Sequence, residues 1–232
     1  MKRVPEARQL PLVLPHEEAM GRADFVAGAA NRTALALIEA WPDWPVPVVL
    51  LTGPAGSGKS HLVRIWREAS GAQIVPAARL GEADPLRLAA TPAVGVEDAD
   101  RTEAAAPLFH LLNAARASGA SVLVTARQAP PSWPGMVPDL ASRLRAAAPA
   151  PLGEPDDELL AGVLVKLLAD RQIEVDPAVL SYLTARMERS LTAARALVDA
   201  IDGESLARRR PVTRAVAAAA LARVENRVEE GG

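Results

Sequence analysis

The stretch "VPVVLLTGPAGSGKSHLVRIW", residues 46–66, constrains this chain more than any other. Val46 to Leu51 is an apolar run of strand length, and such a run reads as a central parallel strand buried on both faces. "HLVRIW" then opens a helix that puts Leu62, Ile65 and Trp66 on one side. Between the two lies "GPAGSGKS", which matches G-x-x-x-x-G-K-[S/T] in full. Gly53, Gly56 and Gly58 let the backbone turn tightly, so that successive N–H groups, including those of Ala55 and Ser57 after Pro54, can converge on phosphate oxygens. Lys59 adds a mobile positive charge for the outer phosphates. Ser60 offers a hydroxyl to Mg²⁺ at the positive end of the helix that also carries His61. The expectation is a nucleotide site, Gly53 to His61, on a parallel α/β sheet, holding ADP or ATP with Mg²⁺.

A second strand should deliver acid to the metal. "TPAVGVEDADR", residues 91–101, is the candidate, with Ala93 to Val96 as the strand and Glu97 and Asp98 at its carboxyl end. Glu97 is one methylene longer than an aspartate, so either it reaches the metal's water shell from further back or Asp98 takes that duty. "QIVPAARL" (73–80) reads as a strand and its exit, "APLFHLLNAARASG" (106–119) as a helix closed by Gly119, and "SVLVTA" (121–126) as another buried strand. His110 is expected to be packed in the core. Strands and helices in alternation predict helices on both faces of the sheet.

From Pro155 the pattern changes. "PDDELLAGVLVKLLADRQ" starts with Pro155 at the first helical position and an acidic first turn, and its leucines repeat at helical spacing. "DPAVLSYLTARM" repeats the device with Asp176 as cap. Two more helical patterns follow, at about 191–206 and 213–228. The expected organisation is a tail at 1–15, an α/β unit at 16–153 and an all-helical unit at 154–232.

Composition excludes several classes. The 232 residues include no cysteine, so thiolate zinc sites and disulfides are out, and His16, His61 and His110 are too scattered to replace them. No run approaches the roughly 20 apolar residues of a membrane span, nor does the start resemble a signal peptide, so a cytoplasmic protein without a membrane partner is expected. A net charge of −2, with "ARRRP" at 207–211 as the one dense basic cluster, argues against sequence-specific DNA binding. Self-association is left open.

The plan of a phosphate-loop α/β unit followed by helices resembles the AAA+ ATPases, and several stretches narrow the likeness to the replication initiator DnaA. "DFVAGAAN" (24–31) looks like the family's adenine-pocket segment, which would assign Phe25, Val26 and Asn31 to the base. "LFHLLN" (108–113) is similar too, and "VPDLASRL" (137–144) resembles the box that ends in an arginine finger, here Arg143, with Arg145 as a second candidate. The chain most closely resembles the Hda family of DnaA-like regulators, the alphaproteobacterial kind in particular. In that family an amino-terminal Q-L-x-L-x-L peptide docks on the sliding clamp of DNA polymerase III. Gln9, Leu10, Leu12 and Leu14 of "RQLPLVLP" fit it, with Pro11 and Pro15 keeping the segment extended. A tail folded back on its own domain is the alternative.

The resemblance implies a clamp-tethered regulator that promotes hydrolysis of ATP bound to DnaA, with Arg143 acting in trans and only slow hydrolysis of its own nucleotide. A helicase loader or a free-standing ATPase are the competing readings. Thr125 is favoured over Ala126 and Arg127 as the polar group at the tip of the fourth strand. Counting back from "RRPVT" puts the lid arginine of the family at Thr192 or Ala193, neither of them cationic; Arg195 or Arg189 substitutes, or the contact is lost.

Overall fold

The structure is a computed structural model, and it describes residues 20–101, 105–208 and 212–230. In chain order the first elements are α1 (Arg32–Glu39), β1 (Val48–Thr52), α2 (Lys59–Ser70), β2 (Gln73–Pro76), α3 (Pro85–Leu88), β3 (Ala93–Glu97) and α4 (Ala105–Ser118). They are followed by β4 (Ser121–Ala126), α5 (Pro138–Arg145), β5 (Ala148–Pro151), α6 (Asp157–Asp170), α7 (Pro177–Thr184), α8 (Leu191–Arg208) and α9 (Arg214–Glu230).

The five strands form one parallel sheet in the order β2-β3-β4-β1-β5. Alternation along each strand divides the apolar side chains between two faces. Val94, Val96, Val122 and Val124 pack with Leu108, Leu111 and Leu112 of α4 and Leu140 and Leu144 of α5. Val49, Leu51, Ala93 and Leu123 pack on the opposite side with Leu35 and Ile38 of α1 and Leu62, Val63 and Trp66 of α2. Both faces are thus covered, as a parallel sheet requires.

Gly95 sits inside β3 without breaking it. A Cβ there would stand 2.5 Å from Ile74 Cδ1 and 3.6 Å from Trp66 Cζ3, so neighbouring side chains fill the space that a larger residue would take. Trp66 in turn stacks on Trp44, with ring centroids 5.3 Å apart.

Two expectations need correction. His110 is exposed, because α4 turns Leu108, Leu111, Leu112 and Ala115 inward and residue 110 falls on the outer side of the same helix. Pro155 is not the first helical residue: Asp156 caps α6 by accepting from the Leu159 N–H at 2.8 Å, which leaves the proline outside the helix. The cap at Asp176 is as expected, its carboxylate accepting from Ala178 N at 2.7 Å with Pro177 next.

β5 carries no strand signal, since its sequence is Ala-Pro-Ala-Pro. It lies at the sheet edge, pairs only with β1, and exposes Pro149 and Pro151 while Ala150 is buried. A proline lacks the N–H that an inner strand would have to donate on both sides, so an edge is where it can be accommodated. Helices α6 to α9 form a separate apolar cluster around Leu160, Leu164, Leu183, Leu197, Ile201 and Ala217.

Candidate functional site

The carboxyl ends of β1, β3 and β4 open onto one crevice, the usual place for a ligand in a parallel sheet. The loop 53–58 turns there from β1 into α2. Gly53 donates to Ala126 O (3.2 Å) at the end of β4, and Leu62 donates to Gly58 O (3.2 Å), which starts the helical ladder. Gly56 has φ +71°, in the left-handed region, and a Cβ on it would lie 2.8 Å from Ser190 Cβ. A Cβ on Gly53 would lie 2.8 Å from both Leu152 Cβ and Leu152 O. Both positions therefore need glycine, one for conformation and space and the other for space alone.

Lys59 Nζ donates to Gly53 O (2.6 Å) and Pro54 O (2.8 Å). Burial lowers its pKa, the charge of Asp98 opposes that, and the Arg127 guanidinium adds to the lowering. The Glu97 pKa is pushed up, first by burial and further by the charge of Asp98, with the nearby Ser60 hydroxyl pulling the other way.

Asp98 takes φ +56°, and Thr125 holds it there. The Thr125 Oγ1 accepts from Asp98 N at 3.1 Å, and Thr125 O accepts from Ala99 N at 2.9 Å. Thr125 is buried with its hydroxyl engaged in this way. The next loop is stapled similarly, with Arg127 N (2.8 Å) and Gln128 N (3.1 Å) both donating to Asp100 Oδ2. Arg127 lines a cavity of about 300 Å³ together with Lys59, Ser60, Asp98, Thr192 and Arg195.

A second cavity, of about 130 Å³, adjoins the first. Phe25, Val26, His61, Leu191 and Arg195 are among its lining, so the segment expected to meet the base and the helix that follows the phosphate loop come together. Phe25 meets His61 edge to face at 5.1 Å, and His61 Nε2 is 3.0 Å from Gly21 O. Burial lowers the His61 pKa; the Gly21 bond opposes this and the Arg195 charge reinforces it. The ring is therefore a neutral donor to that carbonyl. Asn31 does not face either cavity. Its Nδ2 donates to Val26 O (3.0 Å) and its Oδ1 accepts from Gly28 N (2.8 Å), so it shapes the loop that carries Val26.

The helical cluster closes over the phosphate loop at a single seam. Leu191 N donates to Gly56 O (2.8 Å), and Ser190 Oγ caps α8 by accepting from Ala193 N (3.0 Å). Of the two arginines that could stand in for the family's lid arginine, Arg189 is engaged with Asp157 Oδ1 (2.6 Å) and Pro155 O (3.1 Å) at the start of α6. Arg195 lines both cavities. At the other end of the seam, Lys166 of α6 donates to Asp24 Oδ1 (2.8 Å) and to Asp170 Oδ2 (2.6 Å) beside the smaller cavity.

Arg143 lies in the last turn of α5, half-buried, and lines neither cavity; Arg145 beside it is exposed. Gln9, Leu10, Leu12 and Leu14 lie outside the described residues. Sequence reasoning passed over Met20 and Asp100 and set Arg127 behind Thr125. Only the proximity of residue 127 to the end of an apolar strand could have raised its standing.

The residues fit a nucleotide polyphosphate. Ala55, Gly56, Gly58, Lys59 and Ser60 of the loop line the cavity, and the buried Ser57 Oγ has no hydrogen-bond partner among the described residues. Among those residues no group of three or more His, Cys, Asp or Glu side chains converges on a metal. A Mg²⁺ here would rely on Ser60, Glu97 or Asp98 together with phosphate and water oxygens. No helix among the described residues is long and apolar enough to cross a membrane.

No family model matches this chain, and no curated protein sequence matches it. Solved structures do. Domain III of the Thermotoga maritima replication initiation protein DnaA aligns with a TM-score of 0.78 at 18% identity, covering 91% of this chain and 99% of that one. AMPPCP-bound DnaA from Aquifex aeolicus aligns at 0.68 and 16% identity, over 80% of this chain and 66% of that one. The Thermotoga maritima RuvB Holliday junction branch migration motor aligns at 0.64 and 15% identity, over 81% and 65%. A sheet of order β2-β3-β4-β1-β5, a phosphate loop after β1 and a helical cluster seated on that loop thus make this chain an AAA+ fold, related in structure to DnaA domain III and to RuvB.

Proposed function

We propose that this chain is a nucleotide-bound regulator of replication initiation that is tethered to the DNA polymerase sliding clamp and promotes hydrolysis of ATP held by DnaA. The observation that carries the reading is the meeting of the phosphate loop, Asp98 and the start of α8 at one cavity. The scaffold around them aligns with DnaA domain III along 91% of this chain.

In this reading Gly53 to His61 hold the phosphates of ADP or ATP, with Ser60, Glu97 and Asp98 around Mg²⁺. Phe25 and Val26 take the base, and Asn31 holds their loop in place. Arg195 closes over the nucleotide from α8. The bound nucleotide fixes the shape of the chain, and hydrolysis of it is slow. Arg143 works on the neighbour: a guanidinium inserted across a subunit boundary neutralises charge that develops on the transferred phosphoryl group. Gln9, Leu10, Leu12 and Leu14 supply the clamp contact.

The test is turnover of DnaA-bound ATP in the presence of clamp loaded on DNA, with and without this protein. Acceleration is expected. Arg143→Ala should reduce it by a factor on the order of a thousand, the usual contribution of such a residue, while nucleotide binding by this chain is unchanged. Gln9→Ala with Leu12→Ala should abolish co-elution with the clamp. No acceleration by the wild-type chain refutes the proposal.

A further inference from the structure

We infer that the groove between α8 and α9 is a docking site for this chain's own amino-terminal leader, entered by Leu12 and Leu14, so that the groove and the sliding clamp compete for one peptide. The competition rests on the clamp contact proposed above; the docking itself does not.

The groove has a volume of about 240 Å³. Met187, Ala193, Leu197 and Leu221, all buried, make an apolar floor, and the exposed Glu188 and Glu225 stand at its rim. An apolar cavity of about 150 Å³ admits a benzene-sized group, so this one has room for one or two leucine side chains. Two other pockets suit the leader less well. The one of about 330 Å³ against α6 and α7 is lined by Asp157, Glu158, Ser181 and Thr184 and offers a single large apolar side chain, Leu180. The apolar pocket beside Trp133 and Leu140 has a volume of about 10 Å³, too small for a leucine.

Charge points the same way. Arg189 and Arg223, each next in sequence to a lining residue, are engaged with Asp157 and Glu204. Neither Glu188 nor Glu225 has an ion-pair partner among the described residues, so the rim is acidic. The leader at 1–15 carries Lys2, Arg3 and Arg8 against Glu6 alone, and Arg8 stands two positions before the first of its leucines. A basic end followed by apolar side chains complements an apolar floor with an acidic rim.

The leader is also long enough. Met20, where the described chain begins, lines the larger cavity with Leu191, Thr192 and Arg195 of α8. Ala193 and Leu197 lie on the other side of that helix, because two residues turn it by about 200°. A helix with its side chains is about 10–12 Å across, so the way round it is roughly 17 Å. Leu14 stands six positions from Met20 and Leu12 eight, spans of at most about 22 and 29 Å. Both leucines can therefore reach the groove. In an extended segment alternate residues share a side, which sets Leu10, Leu12 and Leu14 together, and Pro11 and Pro15 favour that form. These are the leucines that the clamp contact would use, so a docked leader is closed to the clamp.

The chain has no cysteine, so Val13→Cys supplies a unique thiol for a nitroxide label on the full-length protein. The methyl resonances of Met187, Leu197 and Leu221 should broaden, and those of Leu108 and Leu123 on the sheet side should not. Glu188→Lys with Glu225→Lys should remove the broadening, and Arg8→Glu added to that pair should bring part of it back. Both glutamates are exposed, so the double variant should melt with the wild type. It should also bind isolated clamp about two- to tenfold more tightly, the range for a leader docked from roughly half to roughly nine-tenths of the time. Absence of broadening, or broadening that both substitutions leave unmoved, overturns the docking. So does equal broadening when spin-labelled chain is mixed with isotope-labelled wild type, since the leader would then come from a second copy. Clamp affinity unchanged by the substitutions overturns the competition. If neither form binds the clamp, the proposed clamp contact fails, while the broadening still decides the groove.

Discussion

Gly56→Ala tests the seam between the phosphate loop and α8. The new Cβ would stand 2.8 Å from Ser190 Cβ, 3.2 Å from Ser190 Oγ and 3.3 Å from Thr192 Oγ1. Carbon atoms rest about 3.5–4.0 Å apart, so the first contact is short by roughly 1 Å. No rotamer relieves it, because a Cβ is fixed to its backbone. The first turn of α8 must back away, and the Leu191–Gly56 bond of 2.8 Å must lengthen. Three terms add up: about 1–2 kcal/mol for an alanine at φ +71°, about 1–3 for overpacking and about 0.5–1.5 for the weakened bond. Because these share one site they overlap, and a total of about 3 kcal/mol is expected. Gly71→Ala is the control. It has φ +67° and nothing within 4 Å of the new Cβ, so it should cost only the conformational term, about 1–2 kcal/mol. For a chain of this size Tm should fall by roughly 6–12 °C in the first variant and about 2–8 °C in the second. Thermal and urea unfolding without nucleotide, followed by circular dichroism, would measure both. Equal losses in the two variants would mean that α8 does not rest on Gly56, and the reasoning fails.

Thr125→Val leaves the half-buried Asp98 N–H without its acceptor and should cost about 1 kcal/mol in urea unfolding, whereas Thr125→Ser should be milder. Glu97 has its pKa raised by burial, so the unfolded chain gives up that proton first. Stability should then decline as pH climbs from the ordinary glutamate range, near about 4.3, through the higher folded value. Glu97→Gln should remove that decline in unfolding measured against pH and weaken Mg²⁺-dependent binding of a triphosphate. For His61 the sign is opposite: burial lowers its pKa, so its contribution is complete above the ordinary imidazole value of about 6.5 and is lost as pH falls toward the folded one. His61→Gln should flatten the loss of stability on acidification, and an unchanged slope would remove His61 from the account.

Sequence patterns are most informative where one periodicity dominates. The apolar runs of β1 and β4 and the leucine spacing of α6 emerge as expected because each is set by burial alone. β5 was illegible for the opposite reason: alternating prolines contradict strand propensity, and only its place beside β1, a tertiary fact, makes them acceptable. His110 shows the limit of reading one residue from its neighbours, since an apolar helix still has an outer side. At the site, the loop 53–60 was plain because a cradle needs its glycines at fixed spacing. That Thr125 turns inward while Arg127 lines the cavity was not, because Arg127 lies one residue past the end of β4, where strand alternation no longer applies and the path of the loop depends on the Asp100 carboxylate from beyond another strand's end.

Met20, the first described residue, lines the larger cavity. It lies six positions on from Leu14, and an extended chain advances at most about 3.6 Å per residue. Anything that grasps the leader at 9–14 is therefore leashed within about 20 Å of Met20 if it holds Leu14 and within about 40 Å if it holds Gln9. A leash of that length limits how far a docked body can stand from the crevice while leaving its direction free, so such a body would raise the local concentration of whatever it carries there.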